Sequence, residues 1–236
     1  MSDPPNQQME RSGPRPGQEV LLKENPAAHL LRDAEIALAH AEQARAAIQS
    51  ELEASFSRIA LLLYFLTLEA LINYIYEWAE VEDDSWRSWS IVAKWEKASE
   101  KCRPAFGLSV TDSDMPLVPD DFELFSCFLE LKSVRNGIAH AKPHFTYLPE
   151  NQVDAHLDRD ERYPFTGLPK RLVAFRVEHA EIAKKVAVCM IKRLDFCPGG
   201  YITNLERIPA FIEYVDEASI EYVDADLSEW PECDAG

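Results

Sequence analysis

The sequence has few glycines and no regularly spaced cysteines, and both shortages limit what the chain can be. Its 8 glycines in 236 residues form no P-loop, no dinucleotide-binding turn and no nucleophile elbow. Its 5 cysteines contain no CxxC spacing, so we expect reduced thiols and a cytoplasmic protein. The first 25 residues are polar and contain no apolar signal segment, which agrees with that expected localisation.

Positive charge is also scarce, because 24 Lys and Arg stand against 41 Asp and Glu, a formal net charge of -17. Such a balance argues against a generic nucleic-acid coat protein. The charge is uneven, however. Residues 132–193 carry 12 basic and 7 acidic side chains, whereas residues 211–236 carry 9 acidic and no basic ones. A basic patch beside an acidic tail suits a phosphate-bearing ligand, and accidental clustering on a solvated surface is the alternative.

Long apolar runs and metal-ligand clusters are missing as well. The most apolar run, residues 59–75, is too short and too polar for a membrane span, so we expect a core helix and no membrane. His140 and His144 lie close together, but Pro143 breaks the helical register and no nearby carboxylate or thiol completes a ligand set. We therefore expect no metal and no cofactor.

The chain divides into a disordered lead (1–25), a helical domain (26–200) and an acidic C-terminal extension (201–236). Asn25 and Pro26 suit the N-cap and the first position of a helix. No further proline or glycine occurs before residue 80, so the pattern predicts a long helix. We expect it to kink or to change role near residues 55–57, where an alanine-rich segment becomes apolar nearly all round.

The segments after residue 80 predict two further helices and a small β-hairpin, which lie before and after the stretch 122–144 in the sequence. Asp84 and Ser85 are expected to cap a third helix whose tryptophans pack in the core, with base stacking as the alternative. Residues 144–148 and 171–177 are β-prone and allow a small β-hairpin beside the site. Residues 177–197 predict a closing helix. Two copies of Ile-Glu-Tyr-Val-Asp, beginning at residues 212 and 220, suit strands or helices equally.

The stretch from residue 122 to residue 144 reads as a strongly apolar helix that carries an arginine on its core stripe. Helical spacing places five side chains on one face: Leu124, Phe128, Leu131, Arg135 and Ile138. An unpaired guanidinium in such a position costs several kcal/mol. Arg135 must therefore pair with a carboxylate or bind an anion.

Glu69 is the candidate partner of Arg135, since it is the single carboxylate in the apolar run and lies on a stripe with Leu66 and Asn73. We interpret this stripe, which also includes Ile59, Leu62 and Tyr76, as facing inward. The alternative is that Glu69 points to solvent or pairs with another cation.

Arg135 and His140 would point about 140° apart on one unbroken helix. Gly137 and Pro143 predict that the helix ends near His140, which would let both side chains turn toward one pocket. Asn136 and His140, four residues apart, should already be neighbours.

These residues resemble the HEPN superfamily, whose signature is an arginine, a polar residue that is often asparagine, and a histidine after a short gap. Arg135, Asn136 and His140 match that motif. The segments 67–71 and 93–95 and the closing helix are similar to the context of the motif in that family. The resemblance covers roughly residues 54–197.

The resemblance implies an all-α fold, a helical bundle of about four to five helices, and metal-independent cleavage of RNA. Within it, Arg135 would bind the phosphate, His140 would transfer protons and Asn136 would orient His140 or contact the phosphate, while Glu69, Lys132 and His144 would support the site. It further implies a single-stranded RNA substrate, a homodimer with a composite cleft, and a toxin, phage-defence or stress-response role. A toxin would have an antitoxin or other protein partner.

Two other functions fit the same residues. A fold of this type can act as an RNA- or nucleotide-binding module without cleavage, or as a dimerisation scaffold in which the arginine, asparagine and histidine brace the bundle. Fold resemblance does not decide among the three functions.

Overall fold

The computed structural model describes residues 21–24, 26–81, 84–102, 122–140, 161–196 and 211–214, and most of them are helical. The α-helices are α1 (Pro26–Ala46), α2 (Ser50–Trp78), α3 (Ile91–Cys102), α4 (Phe122–Ala139) and α5 (Val177–Phe196). Two short 3-10 helices (Asp84–Ser88 and Leu172–Ala174) and an antiparallel strand pair, β1 (Leu21–Glu24) with β2 (Phe211–Tyr214), complete the described elements. The predominance of helix confirms the predicted all-α fold class.

Helix α1 packs along α2 through a face built mostly of small side chains. Its buried residues are Ala27, Ala28, Leu31, Ala34, Ala37, Leu38, Ala41 and Ala44. Methyl groups take little room, so the two helices can approach closely and bury their facing stripes. Helix α2 also contacts α3, α4 and α5, which makes it the central helix of the bundle.

Helix α2 is long and apolar enough to cross a membrane, by length and composition only. However, 61% of its most apolar 18-residue stretch is buried inside the fold. Tyr64, Phe65 and Leu68 of α2 are almost fully covered. Burial of this kind is expected of a core helix, as the sequence predicted.

The break between α1 and α2 lies at residues 47–49, so the predicted kink near residues 55–57 is wrong. Ile48 has a left-handed φ of 58°, and its N–H donates to the carbonyl oxygen of Arg45 at 3.0 Å. The N–H of Gln49 donates to the carbonyl oxygen of Ala44 at 2.8 Å. These bonds form a Schellman motif, which normally has glycine where this chain has Ile48. The sequence near Ile48 therefore contains no glycine that would have predicted the end of α1.

The third helix begins later than predicted. Asp84 and Ser85 belong to the 3-10 helix, and α3 starts at Ile91, where the hydroxyl of Ser90 accepts the N–H of Ala93 at 3.2 Å. Serine is a favoured N-cap because its oxygen satisfies a free N–H of the first turn.

The packing interpretation of the tryptophans is confirmed for Trp86 and Trp95. Trp86 is 4% exposed and lies against Tyr76, with ring centroids 5.2 Å apart. Trp95 is fully buried and lies 6.0 Å from Phe128 of α4. Trp86 joins the 3-10 helix Asp84–Ser88 to the core and Trp95 joins α3 to it, so these two rings are not free to stack on bases.

The strand pair joins the two segments that flank the helical domain. β1 lies in the predicted lead, and β2 includes residues 212–214 of the first Ile-Glu-Tyr-Val-Asp copy. The rest of that copy and the second copy lie outside the described residues. The predicted hairpin is wrong at residues 171–177, which contain the 3-10 helix Leu172–Ala174, and its other half, residues 144–148, lies outside the described residues.

The cysteines differ from the expectation of reduced thiols at one position. Cys102 and Cys127 are free, and burial raises the pKa of the Cys102 thiol to about 12. Cys189, however, is disulfide-bonded. The expectation of reduced thiols is therefore wrong for Cys189. The cytoplasmic location, which was based partly on that expectation, stays a prediction.

Replacing Ile48 by glycine should stabilise the protein by about 1 kcal/mol, because a β-branched residue is strained at a positive φ. The side chain is 92% exposed, so almost no burial is lost. Urea unfolding measures the change. The matched control is Ile36→Gly in the interior of α1, where a half-exposed side chain is lost from a helix and stability should fall by about 1 kcal/mol. Loss of stability in both variants would contradict the strain at Ile48.

Candidate functional site

Helix α4 carries the predicted core stripe. Phe128 and Leu131 are fully buried, and Leu124 and Ile138 pack partly buried against the core. Arg135 lies on the same stripe, with 23% of its side chain exposed. The interpretation of this helix from its spacing is therefore confirmed, and an arginine does occupy its core-facing side.

The predicted ion pair between Arg135 and Glu69 is present. Nη2 of Arg135 donates to Oε2 of Glu69 at 2.7 Å, which joins α4 to α2. Nη1 donates to Oδ1 of Asn136 at 3.0 Å, and the guanidinium carbon lies 5.4 Å from the ring centroid of Phe65. A cation over a ring face gains further electrostatic stabilisation. Arg135 is thus held in one orientation by three neighbours.

The stripe of α2 that carries Glu69 is less buried than predicted. Ile59 is 45% exposed, and Leu66, Glu69 and Asn73 are half-buried. Tyr76 is fully buried, so the stripe faces the core at this end only. The half-buried carboxylate of Glu69 and amide of Asn73 therefore remain reachable from solvent.

Helix α4 ends at Ala139, close to the predicted position, and His140 follows as a turn residue. The N–H of His140 still donates to the carbonyl oxygen of Asn136 at 2.9 Å, so helical register continues to the histidine. The imidazole is exposed, and no hydrogen bond or ring contact of this side chain occurs among the described residues. His144 lies outside the described residues.

The convergence of Arg135 and His140 on one pocket stays a prediction. Arg135 faces α2, whereas His140 points to solvent because the last turn keeps its helical register. Asn136 bonds Arg135 and not the imidazole. Lys132, Asn136 and His140 follow each other at steps of four, so they form one row along the accessible side of α4.

A second cation, Lys94 of α3, lies near Glu69 and was not identified from the sequence. It is 8% exposed, and its Nζ donates to Oδ1 of Asn73 at 2.7 Å. Burial lowers the pKa of Lys94 from its ordinary value, and the Glu69 carboxylate opposes part of that shift. The ammonium also lies 5.1 Å from the ring centroid of Trp86. The sequence signal was weak, since a lysine in an amphipathic helix usually faces solvent.

A cavity of about 510 Å³ lies between the first turns of α1 and the second half of α2, and we call it the α1–α2 cavity. Most of its wall is apolar, and Glu69 is among its polar groups. The lining residues are Pro26, Leu30, Leu66, Glu69, Ala70, Asn73, Tyr74 and Glu77. Because Glu69 also binds Arg135, the cavity and the end of α4 belong to one region of the surface.

Glu130 fixes the segment after residue 160 against α4. The carboxylate is 8% exposed and accepts the N–H of Phe165 at 3.1 Å, the N–H of Thr166 at 2.7 Å and the hydroxyl of Thr166 at 2.9 Å. These bonds compensate the cost of burying the charge. The contact positions α4 and does not itself point to a reaction.

Metal-ligand clusters can be assessed over residues 21–24, 26–81, 84–102, 122–140, 161–196 and 211–214. Within these ranges, no group of three or more His, Cys, Asp or Glu side chains could hold a metal ion.

Comparison with models of known protein families, with curated proteins and with solved structures finds no match. Function is therefore inferred from the chain's own residues and from their geometry.

A double-mutant cycle with Glu69→Gln and Arg135→Met should give a coupling free energy of about 1 kcal/mol, because both side chains keep some exposure to water. Arg135→Met alone should destabilise the protein more than Lys132→Met, since no hydrogen bond of Lys132 occurs among the described residues. Urea unfolding of the four cycle members and the lysine control gives both values. A coupling near zero would mean that the ion pair contributes nothing to stability in solution.

Proposed function

We propose that this chain is a metal-independent endoribonuclease of the HEPN type that cleaves single-stranded RNA. The observation that carries the proposal is the end of α4, where Glu69 and Asn136 orient the Arg135 guanidinium and an exposed imidazole follows five residues later. A fixed cation near a free imidazole is the minimum set for phosphodiester transfer at neutral pH.

Each residue has a definite role in the proposed reaction. His140 takes the proton of the ribose 2′-hydroxyl, or gives a proton to the departing 5′-oxygen. The 2′-oxygen attacks phosphorus and the bond to the 5′-oxygen breaks, which leaves a 2′,3′-cyclic phosphate and a 5′-hydroxyl. Arg135 stabilises the charge that develops on the phosphate oxygens. Asn136 orients Arg135, since the amide oxygen accepts a guanidinium N–H.

Arg135 has donors left for a phosphate after its contacts inside the protein. A guanidinium has five N–H groups, and the contacts with Glu69 and Asn136 use two of them. With 23% of its side chain exposed, Arg135 offers an edge to a ligand from solvent. Lys132, one turn earlier on the accessible row, adds a second positive charge.

The proposed enzyme acts as a homodimer. One histidine supplies a base or an acid, but the reaction needs both. Two copies that face each other at the ends of their α4 helices would bring two imidazoles and two guanidiniums into one cleft. The symmetric arrangement of a two-fold dimer does this without any further residue.

The proposed biological role is RNA cleavage as a toxin, in phage defence or in a stress response. Such an activity must be restrained in the cell, so an antitoxin or another protein partner belongs to the proposal.

A non-cleaving function is the second candidate, and one observation favours it. Arg135 is held by Glu69, Asn136 and Phe65, and these contacts also suit a brace between α4 and α2. In that case the fold would bind RNA or a nucleotide, or serve as a dimerisation scaffold. Measurement of cleavage separates these functions from the nuclease.

Purified protein should cut single-stranded RNA in the presence of EDTA and leave 2′,3′-cyclic phosphate ends. His140→Ala should abolish cleavage, because it removes the imidazole that transfers the proton in the proposed reaction. It should leave the melting temperature unchanged, because the imidazole is exposed. His40→Ala is the matched control, since His40 is also exposed but lies on α1. Gel analysis with end-group identification measures both. Cleavage that requires a divalent cation, or that survives in His140→Ala, would contradict the mechanism.

Co-expression of equal amounts of wild-type and His140→Ala chains should lower the specific activity to about one quarter of the wild-type value, if the symmetric dimer needs both imidazoles. Independent monomers would retain about half. Light scattering on the same sample measures the mass of the assembly. An active monomer would disprove the composite cleft but not the nuclease.

A further inference from the structure

The α1–α2 cavity has the size and the wall of a small-molecule site. Its volume of about 510 Å³ lies within the range of about 300–1,000 Å³ that such sites usually have. Leu30 and Leu66 contribute to an apolar wall from opposite helices, while Glu69 and Asn73 supply polar groups. A mostly apolar wall with a few polar groups suits a flat ring that hydrogen-bonds along one edge.

Asn73 offers hydrogen-bond donors because Lys94 fixes the orientation of its amide. Nζ of Lys94 donates to Oδ1 of Asn73 at 2.7 Å, and an ammonium group can bond only to an acceptor. The reversed amide would place its NH₂ group against the ammonium. Nδ2, with two N–H donors, is therefore the end of the amide left for a ligand.

Glu69 offers an acceptor beside this donor. Oε2 accepts the bond from Arg135 at 2.7 Å, while Oε1 accepts no hydrogen bond from any described residue. Glu69 and Asn73 are four residues apart on α2, so their side chains are neighbours on one face of the helix. The α1–α2 cavity thus combines a charged acceptor with an adjacent neutral donor.

We propose that the α1–α2 cavity binds a guanine base of the RNA substrate, an inference that rests on the proposed nuclease function. The N1–H and N2–H of guanine donate to the Glu69 carboxylate, and Nδ2 of Asn73 donates to O6. Single-stranded bases are commonly read in this way, through their Watson–Crick edges and apolar contact with their faces. Leu30 and Leu66 contact the faces of the ring.

Guanine fits the Glu69 carboxylate and the Asn73 amide better than the other three bases do. It presents two neighbouring N–H donors beside an acceptor oxygen, which matches a carboxylate next to an amide N–H. Adenine and cytosine present one exocyclic donor beside a ring nitrogen acceptor, and uracil presents one N–H between two carbonyl oxygens. A carboxylate that accepts two N–H groups forms the stronger, charge-assisted contact.

The same geometry directs the phosphate toward Arg135. Glu69 and Glu77 both line the α1–α2 cavity, and Arg87 pairs with Glu77 at 3.0 Å. The negative charge of Glu69 therefore disfavours a phosphate group inside the cavity. Arg135 contacts Glu69 from α4 and retains N–H groups for an anion. A nucleotide whose base enters the cavity therefore places its phosphate beside the guanidinium that the proposed reaction uses.

Isothermal titration with guanosine, adenosine, cytidine and uridine 3′-monophosphates tests the proposal on the full-length protein. Guanosine 3′-monophosphate should bind at least about tenfold more tightly than the others. Asn73→Asp keeps an oxygen for Lys94 but removes the N–H donors, so it should weaken guanine binding about tenfold. Ala70→Phe, which fills the cavity, should abolish binding. Gln43→Glu adds the same charge at an exposed position of α1 and should change nothing.

Each result of these titrations either supports or overturns the guanine site. Guanine preference that is lost in Asn73→Asp and Ala70→Phe, with both variants melting as folded proteins, supports it. Absence of binding, preference for another base, or guanine affinity unchanged in both variants overturns it. If guanosine 3′-monophosphate binds as expected but RNA is not cut, the base site stands and the nuclease fails. If RNA is cut without base preference or nucleotide binding, the nuclease stands and the guanine site fails.

Discussion

The contact between Arg135 and Glu69 is the constraint on which the candidate site depends. It is an ion pair of 2.7 Å between a guanidinium and a carboxylate that are both partly buried, and it joins α4 to the central helix α2. Loss of either partner would leave a charge with reduced hydration and no counterion. The accessible row with Asn136 and His140 lies on one side of this pair, and the α1–α2 cavity lies on the other.

Several carboxylates of this acidic chain face inward and bind groups from other helices or loops. Glu35 accepts the Tyr64 hydroxyl at 2.6 Å and the Lys184 ammonium at 2.7 Å, so one carboxylate ties α1, α2 and α5 together. Glu130 binds backbone N–H groups near residue 165, and Glu53 accepts the N–H of Val177 at 3.3 Å at the start of α5. Carboxylates near a helix N-terminus are favoured. The negative charge of the chain is thus partly structural.

Side-chain periodicity predicted the parts of the fold whose causes are local. The core stripe of α4 and its arginine followed from side-chain spacing, and the expectation that a buried cation needs a carboxylate led to Glu69. The break at Ile48 was missed because its Schellman motif has no glycine. The α1–α2 cavity and the Lys94 contact with Asn73 were missed because they join residues from separate helices, and spacing along one helix has no bearing on them.

The net charge of -17 changes what an RNA-binding site on this protein must do. Most proteins gain affinity for RNA from many phosphate contacts that release counterions. Among the described residues, Arg135 and Lys132 are the cations of α4 beside the proposed reaction, and two phosphate contacts would release few counterions. Contacts with bases, which carry no charge and are not repelled by the acidic surface, would add affinity. A base-binding cavity beside a guanidinium would meet this requirement, because the base would supply affinity while Arg135 stays available for the transition state.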